Sequence, residues 1–550
     1  MLKFKEIFTR QINSITVAAA LVALSSLASR FLGIVRDRIL AGEFGAGQVL
    51  DIYYAAFRIP DLIFNLIVLG ALSSGFIPIF TSLIKDFTCE HGKAGDAGDH
   101  NRAAWNLASN VLNYLFLGLG LLSIIGIIFA PALTRLITPG FGASEQAATA
   151  ALTRVMFLSP LFLGISGILG GVLQSFKRFV VYSLAPVFYN LGIIVGALFF
   201  VPWLGIYGLA WGVVLGAFLH MAIQIPMVRQ LGFRYQFKIR RHDPDTLKIG
   251  KMMVPRTLSL AISQINLLVV TALASGLAGG SLAIFNFANN LQSFPIGIFG
   301  VSFAIAAFPS LAAAAFDKEK LTANFSSSIR QILFFIIPAT VLIVALRAQI
   351  IRVVLGTGAF DWQDTILTMN TLGFFALSLF AQATIPLLVR VFYARHNSAT
   401  PFYIGLFTVA VNTALALYLA PKLGVAGLAL AFSIDNILNF VLLWIWLSVK
   451  IGNLDIVNIL TAAAKFTVSA VAAGGAAQIM KVIIWPFIDM TKFSGVFIQL
   501  IVGGLAGILV YIFFCYLLKS EELFGFLSSL NKRWPFRKVG IDDQGEARGI

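Results

Sequence analysis

The chain has 550 residues, of which 59% are hydrophobic and only 12% charged, with a mean hydropathy of +0.89. Soluble folds do not bury that much apolar surface, so a soluble multidomain protein is excluded and an integral membrane protein is implied. The net charge of +16 does not point to nucleic acid, because the basic residues fall between apolar runs, where topology signals sit.

The first apolar run, 13–35, is long, is followed by charge and lacks a small-residue cleavage site. It reads as a retained helix rather than a signal peptide. Runs of about twenty apolar residues recur at 55–83, 105–130, 152–174, 182–201, 206–228 and 250–275. The second half adds 282–312, 328–350, 366–392, 402–420, 425–448, 459–484 and 495–518. The fold class is therefore all-α and polytopic, with about 14 transmembrane helices.

With the N-terminus inside, Lys and Arg concentrate on cytoplasmic segments, and the loop Arg229–Lys251 alone holds seven of them. Both termini come out cytoplasmic, and Cys89 and Cys515 lie towards that side. Two cysteines make no disulfide framework.

The chain repeats internally. "APALTRLITPGF" (130–141) pairs with "AQIIRVVLGTGAF" (348–360), "PWLGIYGLAWG" (202–212) with "PKLGVAGLALA" (421–431), and Pro160-Leu161 with Pro386-Leu387. Six spans thus repeat as six, and an even number makes both copies enter from the same side. The expected arrangement is an N-terminal lobe (1–230) and a C-terminal lobe (231–450) related by a pseudo-two-fold along the membrane normal. Substrate sites lie between the halves in such repeats. Two further helices occupy 451–518, and 519–550 is a short basic tail. Gly208, Gly212 and Gly216 form a small stripe for close helix packing. Prolines at membrane depth (Pro60, Pro78, Pro186, Pro255, Pro295, Pro309 and Pro338) are expected to break helices around a cavity.

The most informative stretch is "SRFLGIVRDRI", Ser29 to Ile39. An arginine at the bilayer centre costs about 2.5–3.5 kcal/mol on insertion scales unless it faces protein or water. A collar of snorkelling arginines accounts for Arg38, but not for Arg30, which precedes the end of the apolar run. Arg30 and Asp37 fall on nearly one helical face, roughly 10 Å apart along the axis. The next run adds Asp51 and "FRIPDLIF", with Arg58 just before Ile59-Pro60. These residues read as a polar cavity face.

The second half offers amides instead. "VPRTLSLAISQINLL" brings Arg256, Gln264 and Asn266, and "FNFANNLQSFPIG" brings Asn286, Asn289, Asn290 and Gln292. Positions 286, 289, 290 and 293 share one face. Asn412, Asp435 and Asn436 follow in later spans. Interhelical hydrogen bonding accounts for such residues singly.

Catalytic signals are poor, and the reading is not an enzyme. "CEHGKAGDAGDH" (89–100) matches no zinc spacing, so no metal and no cofactor is expected. No GK[ST] P-loop occurs, which excludes a primary ATP-driven pump in this chain.

Together, "SRFLGIVRDRILAGEFGAG", "FRIPDL", "GALSSGFIPIF", "FPIGIFGVSFAIAAFPSL" and "FYARHNSATPF" resemble the MviN/MurJ family of lipid II flippases, within the multidrug/oligosaccharidyl-lipid/polysaccharide exporter superfamily. The resemblance implies a fourteen-helix fold whose last two helices form a groove for a polyprenyl tail. It implies that Arg30, Arg36 and Asp37, with Asp51 and Arg58, line a cationic cavity for a diphosphate-sugar headgroup. Departures reduce that charge: Phe64, Asn65 and Leu69 replace the family's paired arginines and glutamate, and Asn290 stands where an arginine is usual. Of the family's sodium site only Asn412 survives. Arg256 is placed in the same cavity as a compensating charge.

The expected function is a flippase that moves an undecaprenyl-diphosphate-linked peptidoglycan precursor from the inner to the outer leaflet by alternating access. The expected partners are that precursor and membrane lipids, with a monomeric transport unit in the bacterial cytoplasmic membrane. One rival is an exporter of another lipid-linked glycan or a drug. The other is a transport-dead homologue acting as an envelope-assembly scaffold, for which the missing arginines argue.

Overall fold

The computed structural model describes residues 15–69, 75–84 and 101–533. Cys89 and the 89–100 loop lie outside the described residues, as does the side chain of Arg256. Among the described residues every regular element is a helix, and no strand occurs.

The first half contains α1 (Ile15–Phe44), α2 (Gln48–Phe64), α3 (Ile77–Leu83), α4 (Arg102–Ile137), α5 (Ala143–Met156) and α6 (Ser159–Ser175). It continues through α7 (Phe179–Val195), α8 (Tyr207–Ala222) and α9 (Ile225–Gln230). Next come α10 (Pro244–Ser275), α11 (Ser281–Pro295), α12 (Ser302–Ala313), α13 (Lys318–Val354), α14 (Trp362–Ala376) and α15 (Leu379–Ala394). The last described elements are α16 (Ala399–Leu423), α17 (Val425–Ile451), α18 (Ile456–Ile484), α19 (Phe493–Leu517) and α20 (Glu521–Arg533).

Among the described residues, ten helical segments are long and apolar enough to cross a membrane, and α14 with α15, bent by 45°, makes an eleventh if taken as one span. The sequence reading counted fourteen. The three expected spans outside this set, 13–35, 55–83 and 250–275, fall on α1, on α2 with α3, and on α10. Arg30, Arg36 and Asp37 lie on α1, Asp51 and Arg58 on α2, and Arg256 on α10.

Local chemistry explains some element ends. Gly45, at φ +63°, turns the chain between α1 and α2 in a conformation that disfavours a side chain. Pro244 opens α10 behind Asp243, whose side chain accepts the Thr246 N–H at 2.9 Å. The prolines behave differently from expectation: Pro60, Pro186, Pro309 and Pro338 lie inside continuous helices. The strain instead emerges as π-helical segments downstream, at Asn65–Leu69 after Pro60 and Ile296–Val301 after Pro295. A lost N–H and a displaced carbonyl can be absorbed by widening one turn rather than by ending the helix.

The chain divides into two compact units. The first comprises residues up to Phe294 with Ile351–Phe375 and Ala399–Asn439. Its core includes Phe76, Phe80, Trp105, Leu112, Leu173 and Phe176, with Trp105 stacked on Phe176 at 5.4 Å. The glycine stripe of α8 packs against α7 as its spacing suggested. A Cβ on Gly192 would meet the Gly216 Cα at 2.2 Å, and one on Gly196 the Gly212 Cα at 2.3 Å. Backbone meets backbone there, so nothing can yield. Gly192→Val is therefore expected to destabilise the protein by roughly 3 kcal/mol or more. Thermal unfolding of the purified variant in detergent measures this, and an unchanged midpoint would contradict the packing.

The second unit comprises Pro295–Ile350, Ala376–Ser398 and Phe440 onwards. Here α18 and α19 pack on one another and on α13. Tyr511 Oη donates to the Phe334 carbonyl at 2.7 Å, and Gln349 Nε2 to Gln499 Oε1 at 2.8 Å. The α20 helix is held by Arg330, which pairs with Glu521 and Glu522, each at 2.9 Å.

Candidate functional site

All contacts of the candidate site lie in the first unit. On α1, Arg36 forms a forked pair with its neighbour: Nε donates to Asp37 Oδ1 at 3.0 Å and Nη2 to the same oxygen at 2.7 Å. Its third donor, Nη1, reaches Asn190 Oδ1 on α7 at 3.1 Å. Asn190 is itself oriented by donating to Ser29 Oγ, at 3.3 Å, and to the Pro186 carbonyl, at 3.1 Å. The guanidinium plane is thus fixed from two helices, which preorganises it as a planar hydrogen-bond donor.

The second oxygen of Asp37 accepts from Asn290 Nδ2 on α11 at 2.8 Å. Asp37 is buried, Arg36 is 22% exposed and Asn290 is exposed. Half-buried Arg30 donates from Nη1 to the Ser293 carbonyl, also on α11, at 3.3 Å. One helical turn separates Asn290 from Ser293, as the shared face predicted.

Arg58 lies on α2. Its Nε donates to Thr271 Oγ1 on α10 at 3.0 Å, and its Nη2 to Asn286 Oδ1 on α11 at 2.8 Å. Among the described residues, Arg30 and Arg58 meet neutral oxygens only, whereas Arg36 is ion-paired. Asp61, one turn beyond Arg58, accepts from Asn65 Nδ2 at 2.9 Å.

Asp51 is placed differently. It is 3% exposed, and its two oxygens accept the backbone N–H groups of Gly280, at 2.7 Å, and Ala283, at 2.8 Å. It therefore caps the α11 N-terminus from another helix, where a carboxylate meets both unpaired N–H groups and the positive end of the dipole. Gly280 sits at φ +90°, and a Cβ there would fall 1.7 Å from the Ala46 carbonyl oxygen, so only glycine fits.

Arg38 lies two positions beyond Arg36, about 200° around the helix, and so points elsewhere. Its Nη1 donates to the Val353 carbonyl at 2.5 Å, at the C-terminal end of α13. A cation at that end meets unpaired carbonyls and the negative end of the dipole.

Of the residues singled out in the sequence, Arg30, Asp37 and Arg58 thus connect α1 and α2 to α11, where Asn290 meets Asp37, while Arg36 joins α1 to α7 and Asp51 anchors the start of α11. Arg256 lies on α10. Asn190 and Thr271 escaped the sequence reading. The available signal for Asn190 was a single amide in the otherwise apolar run 182–201, with nothing to link it to Arg36. No group of three or more His, Cys, Asp or Glu is placed to hold a metal ion among the described residues. Near the cluster, Asn412 Nδ2 donates to Asn266 Oδ1 at 2.5 Å, an amide pair between α16 and α10.

Comparison with known proteins adds an independent line. A family model described as lipid II flippase MurJ matches residues 40–503. A probable lipid II flippase MurJ of Rhizobium tropici is 31% identical over 434 residues, covering 77% of this chain and 79% of its own length. The lipid II flippase MurJ of Burkholderia cenocepacia is 29% identical over 434 residues, covering 77% and 81%. A solved structure of lipid II flippase MurJ in an inward closed conformation superposes with a TM-score of 0.72 at 25% identity, over 93% of this chain and 100% of that one. An inward-facing multidrug resistance MATE family transporter of the MOP superfamily shares the fold alone, with a TM-score of 0.61 at 16% identity over 78% and 95%. The chain belongs to the MurJ family of lipid II flippases.

Proposed function

We propose that the chain moves a lipid-linked peptidoglycan precursor, undecaprenyl diphosphate bearing a saccharide-peptide, from the inner to the outer leaflet of the bacterial cytoplasmic membrane. The observation that carries this reading is the arginine cluster on α1 and α2, set by hydrogen bonds to neighbouring helices. Arginine suits a diphosphate because its planar fork donates two charge-assisted hydrogen bonds to adjacent oxygens. Arg30 and Arg58 bond neutral oxygens, so an anionic headgroup can displace those contacts without breaking an ion pair. Arg36 is held ready by Asp37 and Asn190, and Arg256 is assigned to the same headgroup site. Asp51 acts by holding the start of α11 rather than by touching ligand.

Alternating access supplies the motion. The lobes are residues 1–230 and 231–450, and the bonds from α1 and α2 to α11 join one lobe to the other. With both termini cytoplasmic, Asp37 and Asp51 lie towards the outer end of their helices. Their bonds to α11 then close the outer side in this conformation and must break for release. The pair α18 and α19 receives the polyprenyl tail, the transport unit is a monomer, and no catalytic step is involved. A headgroup with two negative charges moving outward gains about 4.6 kcal/mol per 100 mV of inside-negative potential. That potential is large enough to drive the step without sodium.

The Asp37–Asn290 contact offers a direct test. Asn290→Arg restores a cation opposite Asp37 and is expected to support growth of a flippase-depleted strain. Asn290→Asp sets two carboxylates at about hydrogen-bond distance and is expected to fail, since like charges so placed are mutually destabilising. Equal growth of both variants at equal membrane levels would remove Asn290 and Asp37 from the mechanism.

A further inference from the structure

A second feature of the first unit lies outside the arginine cluster. An apolar groove of about 750 Å³ has Leu169, Met221 and Ile225 in its wall and Arg229, Arg234 and Tyr235 at its edge. None of the cluster residues lines it. Both arginines are exposed, and among the described residues neither side chain has an acidic or hydrogen-bonding partner. An apolar wall with two uncompensated cations at its mouth is complementary to an anionic amphiphile.

The strap that forms the mouth is built to stay in place. Residues 233–240 have no regular secondary structure, yet two buried asparagines of α4 pin them. Asn113 Nδ2 donates to the carbonyls of Gln236, at 3.0 Å, and Lys238, at 3.2 Å, while Tyr235 Oη donates to Asn113 Oδ1 at 2.6 Å. Asn110 Oδ1 accepts the Arg240 N–H at 2.8 Å. The tethers remove the ordering cost that a free loop would incur on binding.

The strap also has the composition of a bilayer surface. Tyr235, Phe237 and Ile239 are 55%, 70% and 37% exposed, and they alternate with Arg234, Lys238 and Arg240. Exposed aromatic and aliphatic residues interleaved with cations suit the headgroup region of an anionic leaflet. A soluble anion has no use for the apolar wall, and a zwitterionic lipid offers two arginines no net charge.

We propose that this groove binds an anionic diacyl phospholipid of the leaflet faced by the basic Arg229–Lys251 loop, with an acyl chain along Leu169, Met221 and Ile225 and the phosphate held by Arg229 and Arg234. The site is separate from the headgroup cluster and does not depend on what the protein transports. Its occupant is a resident of the membrane, and it ties α4, α6, α8 and the strap into one lipid-filled body.

The test uses the purified full chain and native mass spectrometry. Phosphatidylglycerol and phosphatidylcholine with the same acyl chains are offered at equal concentration. The wild type is expected to retain phosphatidylglycerol about tenfold or more over phosphatidylcholine, from two arginines near the phosphate. Arg229→Gln with Arg234→Gln should bring the ratio close to one, while a tryptophan at Ile165, which lines the same wall on α6, should lower retention of both lipids (Ile165→Trp). Phosphatidylglycerol with a photoreactive acyl chain should label the wild type at peptides containing Leu169 and Met221, which keeps the test alive if a variant misfolds. No preference in the wild type, an unchanged ratio in the double variant, or labelling confined to other helices would overturn the proposal.

Discussion

Arg36→Ala is expected to abolish complementation of a flippase-depleted strain, whereas Arg38→Ala is expected to preserve it. The two residues sit at nearly the same depth on α1, so an interfacial collar would treat them alike. Their partners differ. Arg36 bonds Asp37 and Asn190, and its loss leaves a buried carboxylate facing only Asn290. Removing a charged partner from such a set costs roughly 2–5 kcal/mol, much of it the penalty of the charge left behind. Arg38 binds the end of α13, and its loss is expected to lower stability by about 0.5–2 kcal/mol. Growth is to be compared at equal membrane levels of the two variants. Equal complementation would show that neither arginine is a required headgroup ligand and would favour the scaffold reading.

Asp51→Ala is expected to have the largest effect on the folded state. It would strip acceptors from two buried N–H groups, those of Gly280 and Ala283, at about 1–3 kcal/mol each. The total, roughly 2–6 kcal/mol, is comparable to the stability of many domains. Asp51→Asn keeps one good acceptor and is expected to fall between wild type and alanine. Thermal unfolding in detergent gives the order wild type, asparagine, alanine, and complementation should follow it. An alanine variant as stable as wild type would mean that α11 does not depend on this cap.

What the sequence disclosed, it disclosed through cost. Arg30 stands out because a guanidinium inside an apolar run must be compensated, and the structure supplies the Ser293 carbonyl as its partner. The one-face spacing of Asn286, Asn290 and Ser293 was likewise readable, because helical periodicity is local. The partners of Asp51 and Arg38 were not readable. Both bind backbone groups far along the chain, at Gly280 and Val353, and a backbone N–H or carbonyl leaves no mark on residue type. Gly280 is the partial exception, since its φ of +90° requires glycine, but a glycine alone does not name what approaches it. The π-helical turns after Pro60 and Pro295 were also hidden, because a proline can end, bend or widen a helix according to its surroundings.

The central claim is that the α1–α2 arginine cluster carries the headgroup of a lipid-linked diphosphate across the membrane. Purified protein in liposomes containing fluorescent lipid II tests it most directly, with an impermeant reagent reporting the outer-leaflet fraction. The account predicts that the wild type moves lipid II at a rate that rises with inside-negative potential, and that Arg36→Ala and Arg58→Ala, correctly folded and inserted, stay at the protein-free background. Transport by Arg36→Ala at the wild-type rate, or wild-type protein no faster than empty liposomes, would contradict it.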